Sequence, residues 1–349
     1  MMTRATPVAL SYALLAVACG LSAVGDRAPP DGSVSLGPGS DASGDPSIVV
    51  VPPDDAPAGD AVDSGYDAGG SPGADGAAAD AEDPSSCDAS SDPLNCGSCG
   101  HDCQGGACVA GACQPFALIT GEAGPTDVRV NNTYVYWVNG GNVANMDGQV
   151  RRALLDGSSR VTLVDHQASP AGLEVTSTTI YWNNWGDQTF WRSDLDGGAI
   201  TTLYTGANGC MATDPSTGAL YGIYWNMGSV EKLGSTQENP LVTGLNQPWG
   251  VFTDGTSLYW TTFTTIEKGT LTGGNATQWL ADGQAPQCLV GDGTYLYWPD
   301  YKNGSVNRRS LAGGAVTTLA TGQSSPQGIA LRAGLLYWTS GSSVMRLAL

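Results

Sequence analysis

The sequence predicts an all-β protein: a six-bladed β-propeller closed by an N-terminal strand, preceded by a disulfide-rich module and a disordered linker. Three observations predict it. A Tyr-Trp pair recurs six times in the last two thirds of the chain at a spacing of roughly forty residues, a period that belongs to blades or solenoid units. The 349 residues include 49 glycines and 20 prolines, so much of the chain is turn or linker. Six of the nine cysteines crowd into residues 87–113, a stretch too short to hold a hydrophobic core of its own.

Taken in chain order, residues 1–18 read as a lipoprotein signal peptide. Arg4 supplies the positive charge, Val8 to Ala18 form a short apolar stretch, and Leu15-Ala16-Val17-Ala18-Cys19 resembles a bacterial lipobox. On this reading Cys19 carries the lipid and becomes the mature N-terminus. Gly20 after it, by the same resemblance, favours sorting to the outer membrane. The alternative is an ordinary secretory peptide that discards Cys19.

Residues 19–86 then form a lipid-anchored linker. From Asp26 to Ser86 the chain is almost all Ala, Asp, Gly, Pro and Ser, and it cannot bury enough apolar surface to offset its own entropy. That stretch holds 13 carboxylates against one arginine, so 12 of the chain's 19 net negative charges belong to it. Such a balance disfavours nucleic acid and anionic membrane surfaces as partners.

Residues 87–113 are expected to be a six-cysteine disulfide module: Cys87, Cys96, Cys99, Cys103, Cys108 and Cys113. An oxidising, secreted context favours three bridges, with fifteen connectivities open. Cys96-x-x-Cys99 with His101 nearby leaves a zinc site as the competing reading.

Residues 114–349 are the propeller. The pairs are Tyr136-Trp137, Tyr181-Trp182, Tyr224-Trp225, Tyr259-Trp260, Tyr297-Trp298 and Tyr337-Trp338. The fourth copy shows the unit most plainly: Pro248 to Thr253, Leu258 to Thr261, Ile266 to Lys268 and Thr277 to Leu280 read as four strands separated by Gly-containing turns. The sixth copy stops after its third strand, while Phe116 to Gly121 supplies a spare strand before the first. Pairing the two closes the ring and removes its open edges.

The repeat resembles the YWTD propeller family, the class-B repeats of lipoprotein receptors, over residues 116–349. Val150-Arg151-Arg152-Ala153-Leu154-Leu155-Asp156-Gly157-Ser158-Ser159-Arg160 is close to that family's third strand and following turn, and Trp191-Arg192-Ser193-Asp194-Leu195-Asp196-Gly197 echoes it. The resemblance implies the fold. The namesake tetrad is not kept, since of the positions that follow each Tyr-Trp pair only Asp300 matches the family's Asp, so the receptor's partner does not carry over.

The Tyr-Trp pairs themselves read as core, one ring on each face of the strand, filling the gaps between blades. Candidate ligand-binding residues are instead those that do not repeat, on the face where each first strand begins: Trp185, Trp249, Phe263, Asp300 and Tyr301. Cys210 and Cys288 share a repeat position with Asp127, Gly172, Gly250 and Gly328. Lying two blades apart, they read as small buried thiols rather than a bridge.

No catalytic residues, metal or cofactor are expected. His166 has no nucleophile beside it in sequence. These features point to a non-catalytic, monomeric envelope lipoprotein whose propeller binds an envelope protein or glycan. One alternative is a metal-dependent lactonase-type propeller using Asp127, Glu174, Asn183 and Asn226. The other is a structural spacer.

Overall fold

The computed structural model describes residues 87–206, 208–234, 240–281 and 284–349. The expected signal peptide, the lipidation site at Cys19 and the linker lie outside the described residues. Those described belong to one compact unit, and none of them is helical.

Six four-stranded antiparallel sheets form the six blades. Blade 1 consists of Pro125–Val130, Tyr134–Asn139, Gly148–Leu154 and Val161–Gln167. Blade 4 keeps the four strands read from the sequence, as Val251–Thr253, Ser257–Thr261, Thr265–Thr270 and Thr277–Ala281. Blade 6 takes three strands from the C-terminus, and its fourth is Phe116–Ile119, pairing Val344 with Ile119 and Arg346 with Phe116. The ring is therefore closed as expected, by a strand more than two hundred residues away in sequence. Each blade also carries a bulge between its third and fourth strands, at Val150, Phe190, Val230, Ile266, Val306 and Val344. Recurrence at one repeat position makes it part of the blade, where the added twist bends the outer strand.

The Tyr-Trp pairs do what alternation on a strand demands. The Tyr of one blade meets the Trp of the next: Tyr136 clusters with Trp182, Tyr259 with Trp298, Tyr297 with Trp338, and Tyr337 with Trp137. All eight rings are buried. At roughly 25 cal/mol per Å², each indole burying about 200 Å² gains up to about 5 kcal/mol before entropy. A second regularity was invisible to the pair pattern. The indole N–H of Trp137, Trp182 and Trp338 donates to Glu122, Gln167 and Gln323, in each case fifteen residues earlier. Asn139 and Asn184, two residues after their Trp, donate to the same Glu122 and Gln167 side chains. Trp260 has Leu245 at that distance, which offers no side-chain acceptor, and its N–H has no partner among the described residues.

Blade 3 departs from the pattern and corrects the sequence reading. Leu220–Tyr224 pairs with Met211–Thr213 so that Gly222, not Trp225, stands opposite Met211, as Trp260 stands opposite Val251 in blade 4. The equivalent of the Tyr-Trp pair is therefore Tyr221-Gly222, and Tyr221 duly clusters with Trp260. Gly222 falls 40 residues after Trp182 and 38 before Trp260, against 43 and 35 for Trp225. The place of the missing indole is filled by Leu233: a Cβ on Gly222 would lie 2.6 Å from its Cδ1. Trp225 no longer takes the Trp position of the repeat and packs, half-buried, at the border of the cluster between blades 3 and 4.

The cysteine module is bridged Cys87–Cys99, Cys96–Cys108 and Cys103–Cys113. This removes the zinc reading, since Cys96 and Cys99 are committed to different bridges and His101 Nδ1 sits 2.7 Å from the Cys96 carbonyl. The module docks on blade 6. Arg346 donates to the Gln104 carbonyl and lies 5.0 Å over the Phe116 ring, while His101 Nε2 approaches the Leu349 carbonyl at 3.2 Å. Leu349 is in turn bonded to Gly334, in the first-to-second-strand turn, so the module lies toward the end of the ring where the first strands finish.

Candidate functional site

Along the axis the six first strands converge on one ring of residues: Asp127, Gly172, Cys210, Gly250, Cys288 and Gly328. Blades 2, 4 and 6 contribute glycine and blades 1, 3 and 5 contribute side chains. The glycines are required by close approach, because a Cβ on Gly172 or Gly250 would lie 2.1 Å from the carbonyl oxygen of Gly209 or Gln287. This constriction overturns the expectation of free thiols. Cys210 and Cys288 form a disulfide with a Cα–Cα distance of 5.7 Å, well within bridging range. Two blades apart is far at the rim of a propeller and near at its axis.

Asp127 is the third side chain of the ring, fully buried and within 4.8 Å of both sulfurs. Its Oδ2 accepts from the Leu173 N–H and its Oδ1 from the Val128 N–H. Arg129 donates to Asp127 Oδ1 at 2.7 Å and to Glu174 Oε2 at 2.8 Å, and reaches the carbonyl oxygens of Met211 and Ile329. One guanidinium thus ties blades 1, 2, 3 and 6 together. Burial pushes the Asp127 carboxyl up to about 6, against the opposing pull of Arg129 and the two backbone N–H groups.

The four residues of the metal-site alternative do not assemble. Asp127 and Glu174 are both engaged by Arg129, so the place of a cation between them is taken by a guanidinium. Asn183 accepts from the Gly172 N–H and donates to the Gly209 carbonyl, bracing the ring, and Asn226 is exposed. This donor set does not fit a bound metal ion. Beyond Arg129 a cavity of about 190 Å³ opens at the end of the axis where the first strands finish, lined by Arg129, Glu174 and apolar residues such as Phe252 and Leu331. His166 is paired with Asp165 on the surface, with its side chain 82% exposed.

At the opposite mouth, where the first strands begin, lies a pocket of about 270 Å³. Its walls are Trp225, Trp249, Phe263 and Tyr301, and its polar lining is Gln247, Gln287, Gln327 and Thr262. Trp185 backs it, with its ring centroid 5.2 Å from that of Trp225 and 5.6 Å from that of Trp249. Phe263 and Tyr301 form an exposed lip at 41% and 45%, and the Lys302 ammonium lies 5.6 Å over the Phe263 ring.

The structure therefore brings together four of the five candidate residues: Trp185, Trp249, Phe263 and Tyr301. Asp300 is placed elsewhere. It is buried, accepts from Ser305 and Asn307 of its own blade, and braces the turn whose next residue is Tyr301. The residue that sequence reasoning missed is Trp225, absorbed into the repeat by its Tyr-Trp spelling. Its displaced spacing was the signal that could have freed it.

The backbone before each first-strand proline is also part of the scaffold. Ser169, Gln247, Ala285 and Ser325 all take positive φ there, and Gly124 does so in blade 1. A conformation repeated around the mouth belongs to the blade design rather than to one site.

No protein-family model matches the chain, and no curated protein matches it. Solved structures do. The chain is similar to a structure of the nidogen/laminin complex at 20% identity, covering 62% of this chain and 89% of that one with a TM-score of 0.53. It is similar to a gluconolactonase from Xanthomonas campestris at 16% identity, covering 67% and 89%, with a TM-score of 0.57. Regucalcin from Agrobacterium tumefaciens, a calcium-binding protein, matches at 15% identity over 67% and 96%, with a TM-score of 0.53. At these identities the likeness establishes the propeller fold, as the resemblance of the repeat implied, and carries no activity with it.

Proposed function

We propose that this chain is an envelope lipoprotein, anchored through Cys19, whose propeller is a non-catalytic binding module that takes its ligand at the aromatic mouth. The observation that carries the reading is the assembly of Trp225, Trp249, Phe263 and Tyr301 around one pocket, with Trp185 behind it. None of these five rings is required by the blade repeat. Large amphipathic rings held on a rigid scaffold are the side chains that dominate binding energy at interfaces. The mouth also lies at the end of the axis away from the cysteine module.

The channel supports the same reading. In the lactonase alternative its carboxylates would hold a cation and activate water, but here they hold Arg129, and the Cys210–Cys288 bridge stands across the axis. The test is equilibrium binding of separated envelope protein and polysaccharide fractions to the immobilised full chain, parent against Trp225→Ala. Binding lost in the variant supports the module. Metal-dependent turnover of lactones or esters that survives Trp225→Ala and disappears in Asp127→Asn would replace it with the hydrolase, and identical behaviour of both proteins would favour the spacer.

A further inference from the structure

We propose that the ligand of the aromatic mouth is a neutral saccharide, held by the terminal ring of a glycan chain. This rests on the binding-module reading and adds the chemistry of the ligand.

The first argument is charge. The pocket is walled by four aromatic rings and lined by three glutamines, Thr262, Ala285 and Pro286, so among the described residues its lining contains no carboxylate, ammonium or guanidinium. Lys302 stands outside the lining, over the rim at Phe263. In a chain of net charge −19, a described lining without a charged group gives a charged ligand no partner within the pocket, whichever its sign.

The second argument is the hydrogen-bonding capacity left over. Each glutamine amide offers two donors and an acceptor. The side chains of Gln247 and Gln327 bond to no other described residue, and Gln287 uses only its NH2, on the Ala285 carbonyl at 3.0 Å. Unused amides beside flat aromatic faces match a sugar ring, whose hydroxyls both donate and accept around its edge and whose C–H groups present an apolar face to an indole.

The third argument is shape. Gln287, Gln327 and Trp249 immediately precede Cys288, Gly328 and Gly250, so the pocket lies beside the closed ring with its disulfide. A pocket of about 270 Å³ lies just below the usual range of ligand sites, about 300 to 1,000 Å³, and has room for one terminal sugar ring rather than for a longer stretch of polymer. An extended peptide is less well served. The carbonyls of Trp249 and Gln327 already accept from Cys210 and Cys288, so the floor offers little backbone for strand addition.

The test is intrinsic tryptophan fluorescence and calorimetry on the full chain. The probes are maltohexaose, cellohexaose and mannohexaose, with an oligogalacturonate as the anionic control and an alternating Pro-Tyr octapeptide as the peptide control. At least one neutral saccharide should shift the emission, with an affinity unchanged between about 0.05 and 0.5 M salt. Trp225→Ala should weaken it by about tenfold. Gln327→Leu, which removes only an amide at a half-buried site, should weaken it by about fivefold at an unchanged melting temperature.

Failure of every neutral saccharide at about 10 mM, far above a millimolar Kd, overturns the assignment. So does saccharide binding indifferent to both variants. Binding of the peptide alone, lost in Trp225→Ala, also overturns it while leaving the binding module standing. Lactone turnover with no binding of any probe removes both.

Discussion

The joints between blades and the axis they surround are built on opposite rules. At the joints the same parts recur: a Tyr from one blade, a Trp from the next, and where the sequence allows it an acceptor fifteen residues before that Trp. Along the axis no two neighbouring blades contribute the same part. The ring alternates glycine with Asp127, Cys210 and Cys288, one arginine spans four blades, and the mouth draws its aromatics from blades 2 to 5. Periodic residues hold the ring together, and aperiodic ones decide what it can do. Blade 3 is where the two rules meet, since losing its interface Trp coincides with gaining Trp225 at the mouth.

The sharpest way to break this contrast is at a joint. Trp338→Ala removes a fully buried indole and its bond to Gln323, and should cost about 3–5 kcal/mol in urea unfolding. A loss below about 1 kcal/mol would mean that the joints are not where the stability lies.

The axis comes next. Replacing Cys210 and Cys288 together by Ala opens a cross-link spanning 78 residues, and should lower stability by about 2–4 kcal/mol. The far-UV spectrum should be unchanged, because the blade joints remain. Unchanged stability would make the bridge incidental to the fold.

Blade 3 provides the third test. Gly222→Trp restores the repeat but forces an indole onto Leu233, and should destabilise by about 1–3 kcal/mol. Gly222→Trp with Leu233→Ala should recover much of that loss. If the single variant is already as stable as the parent, Leu233 is not the compensation described above.

The last test is of Asp127, whose effect is confined to one pH window. Its folded carboxyl titrates near 6 against an ordinary value of 3.8, so between those values the folded state binds more protons than the unfolded state. Its stabilising contribution is complete below pH 3.8 and is lost as pH rises through 6. Relative to Asp127→Asn, the parent should lose up to about 3 kcal/mol across that window, read from urea midpoints at successive pH values. A difference that stays flat, or rises with pH, would show that Arg129 outweighs burial.

Much of the fold was legible because a propeller writes its joints periodically. Blade number, strand order in blade 4 and closure by Phe116–Ile119 all follow from counting repeat parts at the two ends of the chain. The site was legible in part, through the same logic inverted: Trp185, Trp249, Phe263 and Tyr301 stood out because the repeat did not need them. Trp225 was hidden by an accidental match to the repeat, and Asp300, which falls just before Tyr301, was drawn into the site by adjacency although its side chain turns into the blade.

By itself, the sequence determined the six blades, the closing strand and the need for covalent staples in residues 87–113. Each is a matter of local pattern, whether strand alternation, turn residues or the shortage of apolar surface in a small segment. Only the tertiary structure decided the bridge pairing, the Cys210–Cys288 bond and the joining of Trp185, Trp225 and Trp249. The last two depend on how far six strands can approach around an axis, a distance set by glycine contacts between blades that no interval along the chain records.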